Sequence, residues 1–296
     1  MAFRDRINQN IYVFCRRRPH LVERWVRLKW LLSRRRYTAK IRLPAPLHVT
    51  LTSYRGRFGV VGTTLRCLLM QTLRPDKIIL WVSEADYPHL PRDVQQLTTA
   101  GLQIRTCPDL RSYKKIIPAL REDPNSIWVT ADDDCYYTPD WLESLVRTWK
   151  PNSREVVCQR AHRIRLNDDG SPRPYREWQI ELREESAHPL NFFTGIGGVL
   201  YPPGCFAPEV LDEALFQRLC PRTDDVWLWW MIRRNGYVVR KTPGRWRQIT
   251  WEESQDTSLF QGNVHDDGND EAIRRLTDYF GFPSPETVSN AQSSRP

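Results

Sequence analysis

The sequence predicts an α/β fold built on a parallel sheet with helices on both faces, and three observations carry that expectation. From residue 47 onward, strand-like and helix-like stretches alternate. The strand-like runs are apolar throughout, as strands buried on both faces are. Three consecutive aspartates, Asp132, Asp133 and Asp134, close the fourth such run. In open parallel sheets that edge is where ligands bind.

The elements follow in order. "LHVTLTSY" (47–54) reads as a strand, and residues 58–72 place Val61, Leu65, Leu68 and Leu69 on one helical face. "KIILWVS" (77–83) is a continuous apolar strand, residues 91–100 read as a helix after Pro91, and "LQIRTC" (102–107) is a third strand. "SYKKIIPALRE" (112–122) reads as helical with Pro118 inside it, and "SIWVTA" (126–131) is the fourth strand. In "TPDWLESLVRTW" (138–149), Thr138 is the expected N-cap and Pro139 the first helical residue.

The chain has 296 residues and 40% hydrophobic content, enough for one large domain. No stretch approaches the ~18 consecutive apolar residues of a spanning helix, and "MAFRDRINQN" lacks the apolar core of a secretory signal. The seven cysteines form no CxxC pair, which points away from a disulfide framework or zinc site and toward a reduced, cytoplasmic compartment. The net charge of +9 comes from one place. Residues 1–36 hold eleven Arg/Lys against two Asp/Glu, and the remainder is balanced. A basic arm, residues 1–43, therefore precedes a neutral globule, residues 44–282, with "LPAPL" (43–47) at the junction. The polar, Pro/Ser-rich tail 283–296 reads as disordered.

Within the arm, residues 16–36 place Leu21, Val22, Trp25, Val26 and Leu32 near helical spacing, with Arg24, Arg27 and Lys29 between them and triple arginines at each end. A basic amphipathic helix with tryptophans suits the headgroup region of an anionic bilayer. A surface helix docked on its own domain is the competing reading. A single short basic helix is a weak signal for nucleic acid, and no nucleic-acid partner is expected. The predicted location is cytoplasmic, peripheral on the inner face of the membrane.

Three adjacent carboxylates repel, so their clustering needs a reason. In extended chain, residues i and i+2 point to the same side. Asp132 and Asp134 would then share one ligand while Asp133 points elsewhere. Two close carboxylates stay ionised cheaply only with a cation between them. Hard oxygen ligands favour Mg²⁺ or Mn²⁺, which keep open positions for substrate phosphates. A calcium loop starting at Asp132 would want an oxygen ligand at 136 and glycine at 137, and both are tyrosine. A solvated acidic turn fits poorly with the strand before it.

Beyond these patterns, the sequence resembles a GT-A glycosyltransferase of the broad family-2-like group of bacterial sugar transferases, over roughly residues 46–282. The resemblance rests on an ordered set: "VTLTSYRGR" (49–57), "LLMQTLRPDKIILWVSE" (68–84), "SYKKIIPAL" (112–120), "ADDDCYYTPDWL" (131–142), "NFFTGIGGVLYPPG" (191–204) and "TDDVWLWWMIRRNG" (223–236). It implies a Rossmann-like nucleotide-diphospho-sugar transferase fold in a single domain. It also implies a nucleotide-sugar donor and a saccharide or lipid-linked acceptor in surface polysaccharide or glycolipid synthesis. By that likeness Thr52, Ser53, Tyr54 and Arg55 flank the nucleotide, with Tyr54 able to stack on the base. Lys114 and Lys115 reach the diphosphate or nucleotide, a solvated helix face being the bland alternative for both. Asp132 and Asp133 belong to the donor side. Asp134 is the first metal ligand, and Asp132 is open to metal or ribose.

Gly195, Gly197 and Gly198 shape the floor under donor and acceptor, since glycine lets backbone approach a ligand closely. A tight turn into a strand explains them equally well. Asp225 is the expected general base for a single inverting displacement, ahead of Asp224, which can also serve as a helix cap together with Thr223. His265 is the candidate third metal ligand. Asn269 and Asp270 are candidate caps of the following helix, with Asp266 and Asp267 as surface groups. Two other functions compete. A sugar nucleotidyltransferase would want a glycine-rich phosphate loop after the first strand, and "TSYRGRFG" has only Gly56 and Gly59. A non-catalytic basic binding protein fits neither the neutral globule nor the aspartates.

Overall fold

A computed structural model of the chain describes residues 12–32, 39, 41–244, 247–251 and 268–283. His265, Asp266, Asp267, the arm before residue 12 and at 33–36, and the tail from residue 284 lie outside the described residues.

Four parallel strands form one half of the sheet: β1 (Leu47–Thr52), β2 (Lys77–Ser83), β3 (Leu102–Cys107) and β4 (Ile127–Thr130), in spatial order β3-β2-β1-β4. Alternation along β2 shows why both faces are covered. Ile79 and Trp81 enter one hydrophobic core, and Ile78, Leu80 and Val82 enter the other. The chain reverses direction of growth at β1, so the carboxyl ends of β1 and β4 lie side by side with no crossover above them. That is the switch point where ligands of such sheets bind.

The other half departs from the all-parallel expectation. The short strand β9 (Val199–Tyr201) enters antiparallel between β4 and β5 (Glu155–Cys158). Beyond β5, β10 (Val238–Lys241) is parallel and the edge strand β7 (Ser186–His188) antiparallel. A separate ribbon of β6 (Ala161–Arg163) and β8 (Asn191–Phe193) closes the excursion between them. The sheet is mixed because β9 follows a tight glycine turn rather than a crossover helix.

Helix α1 (Pro19–Leu32) packs on α2 (Phe58–Leu69). Only part of its apolar set does so. Val22 and Val26 are buried, whereas Leu21, Trp25, Leu28, Leu31 and Leu32 face outward, the last two at 80% and 75% exposure. Docking on the domain and an exposed apolar face therefore coexist. None of the described helices is long and apolar enough to cross a membrane. All seven cysteines are free.

Three helix readings are corrected. Residues 91–100 split into a short helix α3 (Arg92–Gln95) and a 3-10 segment, Gln96–Ala100. Residues 112–122 are a 3-10 turn, Arg111–Lys115, followed by α4 (Ile117–Glu122), so Pro118 opens a helix rather than interrupting one. Its missing N–H costs nothing there. The helix expected from Thr138 begins later, as α5 (Trp141–Thr148). The Thr138 carbonyl accepts from Gln71 Nε2 at 2.9 Å as well as from Trp141 N at 3.0 Å, and that of Pro139 accepts from Thr72 N at 2.7 Å.

Candidate active site

The carboxyl ends of β1 and β4 are tied together before the site begins. Ala131 N donates to Thr50 O at 3.0 Å, and Thr50 Oγ1 donates to Lys115 O at 2.6 Å. The chain then turns at Asp133 and Asp134 instead of staying extended. The i, i+2 rule holds only for a strand, so a shared facing of Asp132 and Asp134 no longer follows from it. The three carboxylates divide between two protein cations.

Arg57 Nη1 lies 2.8 Å from Asp133 Oδ1 and 3.1 Å from Asp134 Oδ2. Ser53 Oγ donates to Asp133 Oδ2 at 2.6 Å. Burial pushes the Asp133 carboxyl up to about 6 against the pull of Arg57, with Asp134 adding to the rise. Asp133 is thus the best-held member of the three and does not point away from the cluster's partners.

The second cation is Lys115. Its Nζ lies 3.2 Å from Asp132 Oδ1 and 2.9 Å from Asp224 Oδ2, with the side chain 8% exposed. Burial alone would lower its pKa. Asp132, Asp224 and Asp225 outweigh burial and hold the ammonium charged. Lys115 therefore joins the aspartate loop to helix α7 (Asp224–Arg234). The solvated-face reading fails for both lysines, since Lys114 and Lys115 are buried. Lys114 turns to Asp109 rather than to the aspartate cluster.

On α7, Thr223 occupies the N-cap position without a side-chain cap bond, and Asp224 faces Lys115, so neither residue serves as the expected cap. Asp225 Oδ2 accepts from Gly195 N at 2.8 Å. Its Oδ1 is buried without a hydrogen-bond partner among the described residues. Burial pushes this carboxyl up to about 7. Lys115 pulls it down and Asp224 pushes it up. A carboxylate poised there is matched to proton abstraction near neutrality.

Gly195 permits this contact. A Cβ there would sit 2.8 Å from both Asp225 Oδ1 and Lys115 Nζ. Gly197 backs onto Arg160, and Gly198, at φ +87°, would place a Cβ 2.4 Å from the Trp141 ring. Gly198→Ala is expected to cost roughly 2–5 kcal/mol, from backbone strain plus overpacking. Urea denaturation measures it.

Of the other donor-side residues, Tyr54 is 37% exposed and Arg55 is exposed, whereas Thr52 Oγ1 donates to Trp81 O at 2.9 Å. Two contributors were missed in the sequence. Arg57 stands two residues after Arg55 in "RGR", and composition cannot tell which arginine turns inward. Tyr137 Oη accepts from Asp132 N at 2.8 Å and donates to Ile196 O at 3.2 Å, joining the aspartate turn to the glycine turn. Its signal was one more tyrosine beside the aspartates. Trp251 N donates to Asp134 O at 3.0 Å.

The oxygens of Asp132 and Asp134 are of the type that Mg²⁺ or Mn²⁺ takes. Among the described residues, no three acidic, His or Cys side chains converge as a metal cluster. The donor chemistry fits a dication, while the arrangement gives each carboxylate to Arg57 or Lys115.

Residues 112–215, about a third of the chain, match the family described as Glycosyl transferase family 2. The match includes Lys115, the three aspartates and the glycine turn, and stops short of Asp224. No curated protein matches the chain. Among solved structures, glucosyl-3-phosphoglycerate synthase from Mycobacterium tuberculosis, in complex with Mn²⁺, uridine diphosphate and phosphoglyceric acid, is 14% identical over 39% of this chain and 43% of its own, with a TM-score of 0.30. S. aureus TarS (1–349) is 12% identical over 79% and 72%, with a TM-score of 0.45. The 4-diphosphocytidyl-2C-methyl-D-erythritol synthase from Anaerococcus prevotii is 13% identical over 75% and 96%, at 0.42. These overlaps are too loose to carry any site residue across.

Proposed function

We propose that the chain is a family-2-like glycosyltransferase of the GT-A fold that moves a sugar from a nucleotide-diphosphate donor to a saccharide or lipid-linked acceptor with inversion. The observation that carries this reading is Asp225. One of its oxygens is fixed by the Gly195 amide and the other is buried without a partner among the described residues, at a pKa near 7. An acceptor hydroxyl seated on the glycine turn would give its proton to Oδ1 as its oxygen attacks the anomeric carbon. Lys115 holds Asp224 and Asp132 in register, so the base helix and the donor loop keep one spacing. The exposure of Tyr54 and Arg55 supports their contact with the nucleotide.

Asp134 is the proposed first ligand of a Mg²⁺ or Mn²⁺ ion, with Asp132 and His265 as further candidates. Such an ion, when bound, supplies positive charge against the departing diphosphate. The test is a thermal-shift screen of nucleotide diphosphates and their sugars with Mn²⁺. One donor should raise Tm by mass action, and no stabilisation by any of them would sink the reading.

The arm supports peripheral attachment to the inner face of a membrane, in bacterial surface polysaccharide or glycolipid synthesis. Leu21, Trp25, Leu28, Leu31 and Leu32 face outward on α1, with Arg24 and Arg27 also exposed. Each basic residue near an anionic surface contributes on the order of 1 kcal/mol, and buried apolar area adds to it. Removing the arm would also strip Val22 and Val26 from the core, so a surface variant is the cleaner probe. Leu28→Asn, Leu31→Asn and Leu32→Asn together should cut flotation with anionic vesicles by about tenfold or more. Unchanged flotation would remove the membrane reading.

A further inference from the structure

We propose that Arg57 is the built-in counter-ion of the aspartate turn, and that a dication arriving at Asp134 must displace it from that carboxylate. The inference rests on the metal reading above and concerns what that reading leaves unexplained: a protein cation already seated on the candidate ligand. Both carboxylate contacts of Arg57 are made by one nitrogen, Nη1. A guanidinium can present a two-nitrogen fork, and here its Nε is buried with no hydrogen-bond partner among the described residues. The arrangement thus leaves one donor of the arginine unsatisfied.

The two contacts are also unequal. Asp133 has the shorter contact, 2.8 Å, and a second bond from Ser53 at 2.6 Å. Asp134 has the longer contact, 3.1 Å, to its Oδ2, while its Oδ1 accepts from the weak Cys135 thiol donor at 3.4 Å. Asp134 is therefore the one to be given up, while Asp133 keeps the guanidinium at the site. Arg57 ends the 3-10 turn Arg55–Arg57, beside the exposed Tyr54 ring at 6.0 Å, so a small swing of its side chain frees Asp134 without disturbing β1.

The test is direct Mn²⁺ binding to the full chain without donor, read from the free-ion signal in electron paramagnetic resonance. Arg57→Gln is expected to bind Mn²⁺ at least about tenfold tighter than wild type, because one competitor for Asp134 is gone. Arg55→Gln removes the same charge two residues away and should change affinity by less than about threefold. Equal gains in both variants would mean bulk charge alone and overturn the proposal. Unchanged or weaker binding in Arg57→Gln overturns it as well, with the metal reading intact. Absence of Mn²⁺ binding in every variant removes the metal reading and this proposal together. Circular dichroism melting checks the fold. If Arg57→Gln fails to fold, Arg57→Lys is read in the same way, its shorter side chain holding the ammonium back from the position where Nη1 meets both carboxylates. It should then tighten Mn²⁺ by about threefold, and no tightening overturns the proposal.

Discussion

Asp225→Asn is expected to lower kcat by about two orders of magnitude or more, the scale of general-base catalysis. Asparagine keeps the shape and still accepts from Gly195 N, so donor binding should survive. The pH dependence separates chemistry from damage. A base works deprotonated, and the carboxyl stands near 7. Wild-type kcat/KM should therefore climb as pH rises and level off above about 7, while the residual rate of the variant should lack that limb. Stability should move the other way. The folded value lies above the ordinary 3.8, so this group's stabilising contribution is full below about 3.8 and is lost as pH rises through 7. Asp225→Asn should accordingly melt higher than wild type at pH 8, an exchange of activity for stability common at active sites. Asp224→Asn leaves the Gly195 contact in place and should retain the limb, moved to lower pH because the Asp224 charge helps to raise the Asp225 carboxyl. If Asp224→Asn abolishes that limb and Asp225→Asn keeps it, the roles are reversed.

The strands were legible because their signal is local. "KIILWVS" and "LQIRTC" are apolar enough to be buried strands wherever they sit, and both became strands with the expected limits. The helix start expected at Thr138 was not, because the Pro139 carbonyl is claimed by Thr72 N, a tertiary fact. The site divides in the same way. Sequence could say that three aspartates end a strand and that Asp225 begins a helix. It could not say that the aspartate run turns, since a turn at Asp133 depends on what waits for each side chain. Arg57 reaches Asp133 across 76 residues and Lys115 reaches Asp224 across more than a hundred, and no local pattern encodes either pairing. Gly195 and Gly198 were visible as glycines. Their reasons, Asp225 and the Trp141 ring, were not.

Lys115→Met is expected to destabilise the protein by about 3–5 kcal/mol, the cost of removing one partner from a buried ion pair. Methionine fills the space of the lysine stem but leaves Asp224 and Asp132 without their cation. Asp224 is nearly buried, its side chain 10% exposed, and must then take up a proton or stay charged in poor solvent. Arginine should not rescue the site, because the Lys115 ammonium stands so near Gly195 that even a Cβ there would come within 2.8 Å of it, which leaves little room for a guanidinium. The informative measurement is a double-mutant cycle in denaturant. If the pair is what matters, Asp224→Asn should be costly alone and much cheaper in the Lys115→Met background, with a coupling of about 1–3 kcal/mol. Additive losses would mean that Lys115 acts through packing only. The same lysine joins the turn that would face the donor to the helix that bears the base. Loss of the bridge should therefore depress turnover even at temperatures where the variant remains folded, and it should raise the kinetic pKa of Asp225, which the Lys115 charge holds down. A rise in that pKa together with a fall in kcat would mark Lys115 as both strut and electrostatic partner. A fall in stability alone, with the pH profile unmoved, would make it only the strut.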